Sequence, residues 1–269
     1  MIIFSPRIKF SSVPSKFFTQ ALFAGTESLA IFLMLIKVVG SLAFYKQKHH
    51  VVLNKSFWFY LFFIITYACV IGFHWLNIFL EKNPLQFPDL DFAFVSFART
   101  IFLNSSFLYL QVYCYKVVTT KSNVDLYSGN ISKKTKNIKL QEKSTHFFII
   151  LNGLLQSLVI GIYPLFRENP KLSVEYLSAL IVFVAFLHIV ILYTSTDNCK
   201  KILAPWIFFA FIVFLMVPLS ALANRIMFFD VLFATKMIFR SIFLSTRVLQ
   251  ILVLFVCALR FSDVRLLYD

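Results

Sequence analysis

From Ile202 to Ala223 the chain carries no charged residue, and most of what lies between is Phe, Ile, Leu, Val or Ala. A run of that length matches the roughly 20 apolar residues with which a helix crosses the hydrocarbon core of a bilayer. In lipid a backbone finds no water to bond to, so only a helix or a closed β-barrel is viable there. No segment alternates with a period of two, which argues against the barrel. Five other runs have the same character: Leu29 to Phe44, with a start as early as Ala21, Phe57 to Leu80, Phe92 to Tyr115, Phe147 to Leu165, and Val174 to Tyr193. The fourth of the seven is expected to end at a turn at Pro164.

The last segment, Ile226 to Leu259, is longer than one membrane thickness and holds Asp230, Lys236, Arg240 and Arg247. Its best span is Ser241 to Leu259, with Ile226 to Phe239 as an interfacial lead-in. The fold class is therefore an all-α integral membrane protein, a polytopic helical bundle of about seven transmembrane helices. Six helices with a re-entrant tail are the alternative. No internal repeat is visible.

Composition supports the membrane environment. With 59% hydrophobic residues, the chain exceeds the roughly 45–50% usual in soluble domains, and a soluble fold of this size would have nowhere to bury that surface. The 26 Lys+Arg against 12 Asp+Glu, a net charge of +14, would point to nucleic acid in a soluble protein. Here the basic residues sit mainly in short segments between apolar runs, the pattern of the positive-inside rule. The lipid bilayer is thus the expected partner, and nucleic acid is not.

Orientation follows from those segments. Lys46, Lys48 and Lys55, then Lys116, Lys121 and the lysines of 133–143, then Lys200 and Lys201, then Arg260 and Arg265 fall on one side. They outnumber Arg7, Lys9, Lys16, Lys82, Arg167, Lys171 and Arg225 on the other. The expected organisation is a non-cytoplasmic N-terminal segment (1–20), a seven-helix membrane domain (21–259) with a polybasic cytoplasmic loop (119–146), and a short cytoplasmic tail (260–269). Around the first helix alone the basic residues balance, so the orientation rests on the loop after the third. Met1 to Gln20 holds Pro6 and Pro14 among Arg7, Lys9 and Lys16 and has no apolar stretch followed by a cleavage site, so the first transmembrane helix is expected to serve as the targeting signal. The sequons at Asn54 and Asn130 fall on the cytoplasmic side in this arrangement and are expected to be unused. The plasma membrane is the expected location, with the endoplasmic reticulum as the alternative.

Candidate functional residues come from charge and polarity inside spans. A basic side chain at mid-bilayer costs at least about 2.5–3.5 kcal/mol on insertion scales. Lys37 lies near the middle of the first apolar run. Arg99 lies in the outer third of the third, at a depth where Glu27 of the first helix is expected to reach it. On the last segment Lys236, Arg240 and Arg247 fall within about 40° of one another at 100° per residue, with Gln250 close by. With no carboxylate expected at mid-membrane depth, Lys37 and Arg247 point to an anionic ligand, a lipid headgroup, water or a partner subunit. The plainer expectation is that Lys236 and Arg240 are interfacial anchors and that only Arg247 is inserted.

Candidate ligand-binding residues are thus Lys37, Arg99, Arg240, Arg247, His74 and His188. His74 and Asn77 share a face of one helix, as do Asn152 and Gln156 of another, and hydrogen bonding between helices accounts for them and for His188. Lys133, Lys134, Lys136 and Lys139 form a cytoplasmic polybasic cluster, each charge contributing roughly 1 kcal/mol of attraction near an anionic leaflet. That cluster either fixes topology as a disordered loop or docks an anionic lipid or a cytoplasmic signalling partner.

Catalytic and cofactor signatures are missing from the sequence. His49-His50 is a lone pair, no HExxH, GxSxG, GxGxxG or P-loop pattern occurs, and Cys69, Cys114, Cys199 and Cys257 have no metal or redox spacing. No enzyme activity, cofactor or metal is expected.

Seven helices, a basic cytoplasmic face and prolines at 205 and 218 in the sixth helix resemble a G-protein-coupled receptor or a divergent serpentine chemoreceptor, in topology alone. The pattern departs at Cys114-Tyr115-Lys116, where an acidic-Arg-aromatic triplet would close the third helix. There is no acidic residue in the second helix, no Asn-Pro pair in the seventh, and no cysteine at the outer end of the third. No family is assigned on this basis. The expected function is a receptor-like seven-helix protein binding a small ligand. The alternatives are a transporter, channel subunit or lipid-handling protein that holds an anion or headgroup, and a structural subunit of a membrane complex.

Overall fold

The computed structural model describes residues 14–48, 55–82, 92–126, 131–168, 174–196, 199–228 and 233–260. Its seven helices are α1 (Pro14–Lys48), α2 (Lys55–Lys82), α3 (Phe92–Leu126), α4 (Ile131–Glu168), α5 (Val174–Ser195), α6 (Lys200–Phe228) and α7 (Phe233–Arg260). The described residues contain no strand. The protein is an all-α polytopic helical bundle.

Among the described residues, six helices carry a stretch long and apolar enough to cross a membrane: Phe18–Ala43, Ser56–Leu80, Glu142–Ile162, Tyr176–Ser195, Lys200–Ser220 and Thr235–Leu259. The last segment therefore holds one continuous helix that begins before Lys236, rather than a lead-in followed by a span from Ser241. α4 likewise runs past Pro164 to Glu168, and α6 is unbroken through Pro205 and Pro218.

The seventh helix, α3, is diluted by Arg99, Asn104, Ser105, Ser106 and Gln111. It lies alongside α2 all the same, because Phe62 stacks on Tyr109 and, further along, Phe73 on Phe102, at 5.2 and 5.5 Å between ring centroids. Packed against α2, α4 and α5, it turns its polar groups to other helices rather than to lipid, which is what lets them stay in the bundle.

Each helix packs on the next in sequence, from α1 to α7, apart from any very slight contact, and α1 and α7 close the ring, with α3 also against α5. Helices consecutive in sequence run antiparallel, so the packed pairs α1–α7 and α3–α5 run parallel. Thus Glu27 and Lys37 of α1 meet, in the same order, Arg247 and Leu259 of α7. The start of α1 and the end of α7 consequently lie at opposite ends of the bundle.

The segment 119–146, expected as a loop, is helical at both ends. α3 continues to Leu126 and α4 starts at Ile131, so Lys133, Lys134, Lys136 and Lys139 stand on the first turns of a helix. At 1.5 Å per residue, 38 residues of α4 extend well past a core about 30 Å thick, which is how a polar stretch can prolong an apolar span. The expected N-terminal segment up to residue 13, the His49-His50 pair, Asn54, Asn130, Asp230 and the tail from residue 261 lie outside the described residues.

The interior is aromatic. Tyr60, Phe63 and Tyr67 of α2, Phe107 and Tyr113 of α3, and Trp206 and Phe209 of α6 are all buried and meet edge-to-face, stacked or tilted at 5.2–5.9 Å. Such pairs add about 0.5–1.5 kcal/mol each beyond the area they bury. The outer surface is equally apolar, with Phe32, Leu154, Phe208 and Leu252 among the exposed side chains. In a soluble protein that surface would aggregate; here it is the face a bilayer covers.

Candidate functional site: a buried ion pair joining the first, second and last helices

Glu27 sits inside the apolar stretch Phe18–Ala43 of α1 and is 2% exposed. Arg247 is the middle residue of Thr235–Leu259 on α7 and 9% exposed. Because α1 and α7 adjoin, Nη2 of Arg247 donates to Oε2 of Glu27 at 2.7 Å. This corrects the expectation that no carboxylate stands at the depth of Arg247.

Further side chains bond to the pair. Nη1 of Arg247 donates to Oε1 of Gln250 at 3.0 Å, one turn along α7. Nε2 of Gln250 in turn donates to Oε1 of Glu27 at 3.2 Å and to the hydroxyl of Tyr67 at 2.7 Å. The Tyr67 hydroxyl donates to Oε1 of Glu27 at 3.5 Å. A buried ion pair offsets its desolvation only when its spare lone pairs and protons are bonded in this way.

His74, two turns beyond Tyr67 on the same face of α2, completes the cluster. Its Nδ1 lies 3.4 Å from Nη2 of Arg247 and 3.8 Å from Oε2 of Glu27. With the ring proton on Nε2, Nδ1 accepts from Arg247; with it on Nδ1, the ring donates toward Glu27. Arg99 of α3 adds its positive field at Glu27, although Arg247 and not Arg99 is the bonded partner. The Glu27–Arg99 clamp expected from matching depths thus gives way to Glu27–Arg247, since α1 packs on α2 and α7 rather than principally on α3.

The other candidate residues go elsewhere. Nζ of Lys37 donates to the carbonyl of Leu259 at 2.7 Å, in the last turn of α7, where carbonyls lack a helical partner. Lys37 looked central within its own run, but α1 continues to Lys48, and Lys37 is level with the end of α7. Because the ammonium is half-exposed and the contact is to a helix end, Lys37→Met is expected to change stability by under about 1 kcal/mol, read as a small shift in thermal unfolding of the purified protein. Arg240 is exposed and Lys236 half-buried, so of the three basic residues on that face only Arg247 enters the interior.

His188 belongs to a second network, between α3, α4 and α5. Thr145 and Gln111 flank its ring at 3.0 and 3.5 Å, Asn152 donates to Gln111, and Gln156 donates to Ser105 at 2.8 Å. The expectation that Asn152, Gln156 and His188 bond between helices is met. Asn77, in contrast, has its Oδ1 buried without a hydrogen-bond partner among the described residues.

No known family, curated protein or solved structure matches this chain. Function must therefore be argued from the two networks and the ring that holds them. Sequence reasoning missed Tyr67 and Gln111 as network members and assigned Glu27 to the wrong arginine. The signal for Glu27 was present once the first run is taken from Ala21, because every other acidic residue outside the last segment lies at the edge of an apolar run or beyond one.

Proposed function

We propose that this protein is a receptor-like seven-helix membrane protein in which the Glu27–Arg247 pair holds the first, second and last helices in one arrangement. A small ligand entering the bundle shifts that arrangement and alters what the cytoplasmic ends present. The observation that carries the reading is the buried pair itself, with Gln250 and Tyr67 bonded to it as well. In this reading the network, which spans three helices and closes the ring, is the element that a ligand biases.

In this reading the C-terminus is cytoplasmic, and the helical extension bearing Lys133, Lys134, Lys136 and Lys139 meets anionic lipid or a signalling partner. The protein has no enzymatic role. The transporter and complex-subunit readings drew on basic side chains needing an external anion. Glu27 now serves Arg247, and the Leu259 carbonyl serves Lys37, which gives two of the three basic side chains behind the transport reading, Lys37, Arg99 and Arg247, a partner inside the bundle.

The test uses the full chain in lipid nanodiscs with Cys69 replaced by serine, the other three cysteines being buried. Spin labels at the exposed positions 143 and 201, on α4 and α6, report the distance between those ends. Weakening the network with Tyr67→Phe or Glu27→Gln is expected to shift or broaden the distance distribution. An unchanged distribution in both variants, together with chloride or phosphate flux in proteoliposomes that Arg247→Gln abolishes, would replace this reading with the transport one.

A further inference from the structure

Within the cluster of Glu27, Arg247, Gln250, Tyr67 and His74, only the histidine belongs to a residue type that changes charge near neutral pH. Its side chain is 15% exposed, against 3% for Glu27 and 11% for Arg247, so a proton arriving from water meets it first. His74 stands six residues before the end of the apolar stretch Ser56–Leu80, about 9 Å along the axis. It is therefore closer to one water face than to the middle of the bundle.

The two oxygens of Glu27 have different partners. Oε1 accepts from Nε2 of Gln250 at 3.2 Å and from the Tyr67 hydroxyl at 3.5 Å. Oε2 accepts from Nη2 of Arg247 at 2.7 Å and faces Nδ1 of His74 at 3.8 Å. Nδ1 and Nη2 are themselves 3.4 Å apart. An imidazole of α2 and a guanidinium of α7 thus stand side by side before one carboxylate oxygen of α1.

A neutral ring tolerates that arrangement, since it can accept from Arg247 or donate toward Glu27. A second ring proton leaves donors only, and it sets a positive charge directly beside another. The ionisable groups that face the ring from the helices around it are Glu27 of α1, Arg99 of α3 and Arg247 of α7. Both arginines repel a charged ring, and only the carboxylate attracts it. Moving Nδ1 from 3.8 Å to the roughly 2.8 Å of a charge-assisted bond takes about 1 Å. Arg247 has a second acceptor to retain as it gives way, Oε1 of Gln250 at 3.0 Å.

We propose that His74 is a proton-binding site: on taking up one proton it replaces Arg247 at Oε2 of Glu27, so that α1 is held by α2 instead of by α7. One proton passes from water to the ring, and only hydrogen bonds are exchanged. The proton site stands on the geometry of the cluster. Its regulatory meaning rests on the reading of the ion pair as the element that a ligand biases, with acid at the water face near the end of α2 acting as the bias.

The experiment is solid-state NMR of the full chain in lipid bilayers, with 15N-labelled histidine and 13C-labelled glutamate, between about pH 8 and about pH 5, the range in which histidine changes charge. The His74 signals are assigned by their loss in His74→Gln. As the pH falls, both ring nitrogens of His74 are expected to become protonated, and the dipolar contact between Nδ1 and the Glu27 carboxyl carbon is expected to strengthen. His188 is an internal reference. It is fully buried between Gln111 and Thr145, both neutral, and is expected to keep a single ring proton throughout. Arg247→Gln is expected to bring in the charged His74 ring at a pH higher by about one unit or more, and Glu27→Gln at a pH lower by as much. A ring that only fills space shows neither change. A His74 ring that stays singly protonated down to about pH 5, or one that gains a proton without approaching Glu27, overturns the proposal. Both results are read from the native chain, so they stand even where a variant does not fold. Spin labels at positions 143 and 201 separate this inference from the functional reading. A distance distribution that responds to acid in the native chain and not in His74→Gln supports both. Proton uptake with the Glu27 contact but an unmoved distribution upholds the proton site and counts against the ion pair as the control of the cytoplasmic ends.

Discussion

Glu27→Gln is expected to lower the unfolding free energy of the protein by about 3–5 kcal/mol, the cost of leaving one member of a buried ion pair without its counterion. The arginine left behind has no escape. Arg247 is the middle residue of Thr235–Leu259, about 18 Å from either end at 1.5 Å per residue, so its guanidinium cannot be carried to the headgroups by side-chain extension alone. Gln250 and His74 remain beside it, but neither brings negative charge. Arg247→Met is expected to cost a similar amount, because it strands the carboxylate instead. The double variant Glu27→Leu/Arg247→Met should recover most of the loss, since an apolar pair of similar volume removes both desolvation penalties. A thermodynamic cycle from thermal or denaturant unfolding in detergent micelles measures the coupling directly. Single variants that unfold with the native protein, or a double variant whose loss equals the sum of the singles, would show that the pair is not coupled in the folded state.

The number and type of helices were legible in the sequence because each element had to satisfy its own backbone in lipid, and that requirement writes itself as apolar length. Helix boundaries were less legible. Lys133 to Lys143 reads as a loop on hydropathy, yet continuing a helix outward from a span costs nothing that the neighbouring apolar turns have not already met. α3 could be placed from its run of Phe, Tyr and Leu, but its central position could not. That position explains after the fact why Asn104, Ser106 and Gln111 are tolerated there.

Which charges pair was the least legible feature. Glu27 is distant from Arg99 and from Arg247 along the chain, and depth alone favoured Arg99. The choice is made by ring closure, which brings the first helix against the last, and that is a property of the whole bundle rather than of either segment. The same holds for Lys37, whose depth is set by where α7 ends and not by where its own apolar run is centred.

Phe209→Ala is expected to destabilise the protein by about 3–5 kcal/mol, while Phe208→Ala, one residue away on the same helix, is expected to cost under about 0.5 kcal/mol. The two phenylalanines contribute identically to hydropathy, so a difference between them isolates packing. Phe209 is fully buried and lies flat on Phe107 at 5.8 Å, with its ring also against Phe63, Tyr67 and Trp206 at 5.6–6.2 Å. Phe208 is 60% exposed and faces the bilayer, where a lipid tail replaces the lost ring as readily as another side chain would. Equal losses at both positions would mean that the exposed face is covered by something other than lipid. The contrast also bears on the ion pair. Phe209 packs on the Tyr67 ring, and the Tyr67 hydroxyl is bonded to Gln250 and Glu27, so the aromatic centre holds one wall of the charge network in place. Phe209→Ala combined with Glu27→Gln should therefore cost less than the sum of the two changes: once Tyr67 is free to move, part of what the carboxylate supplied has already been lost.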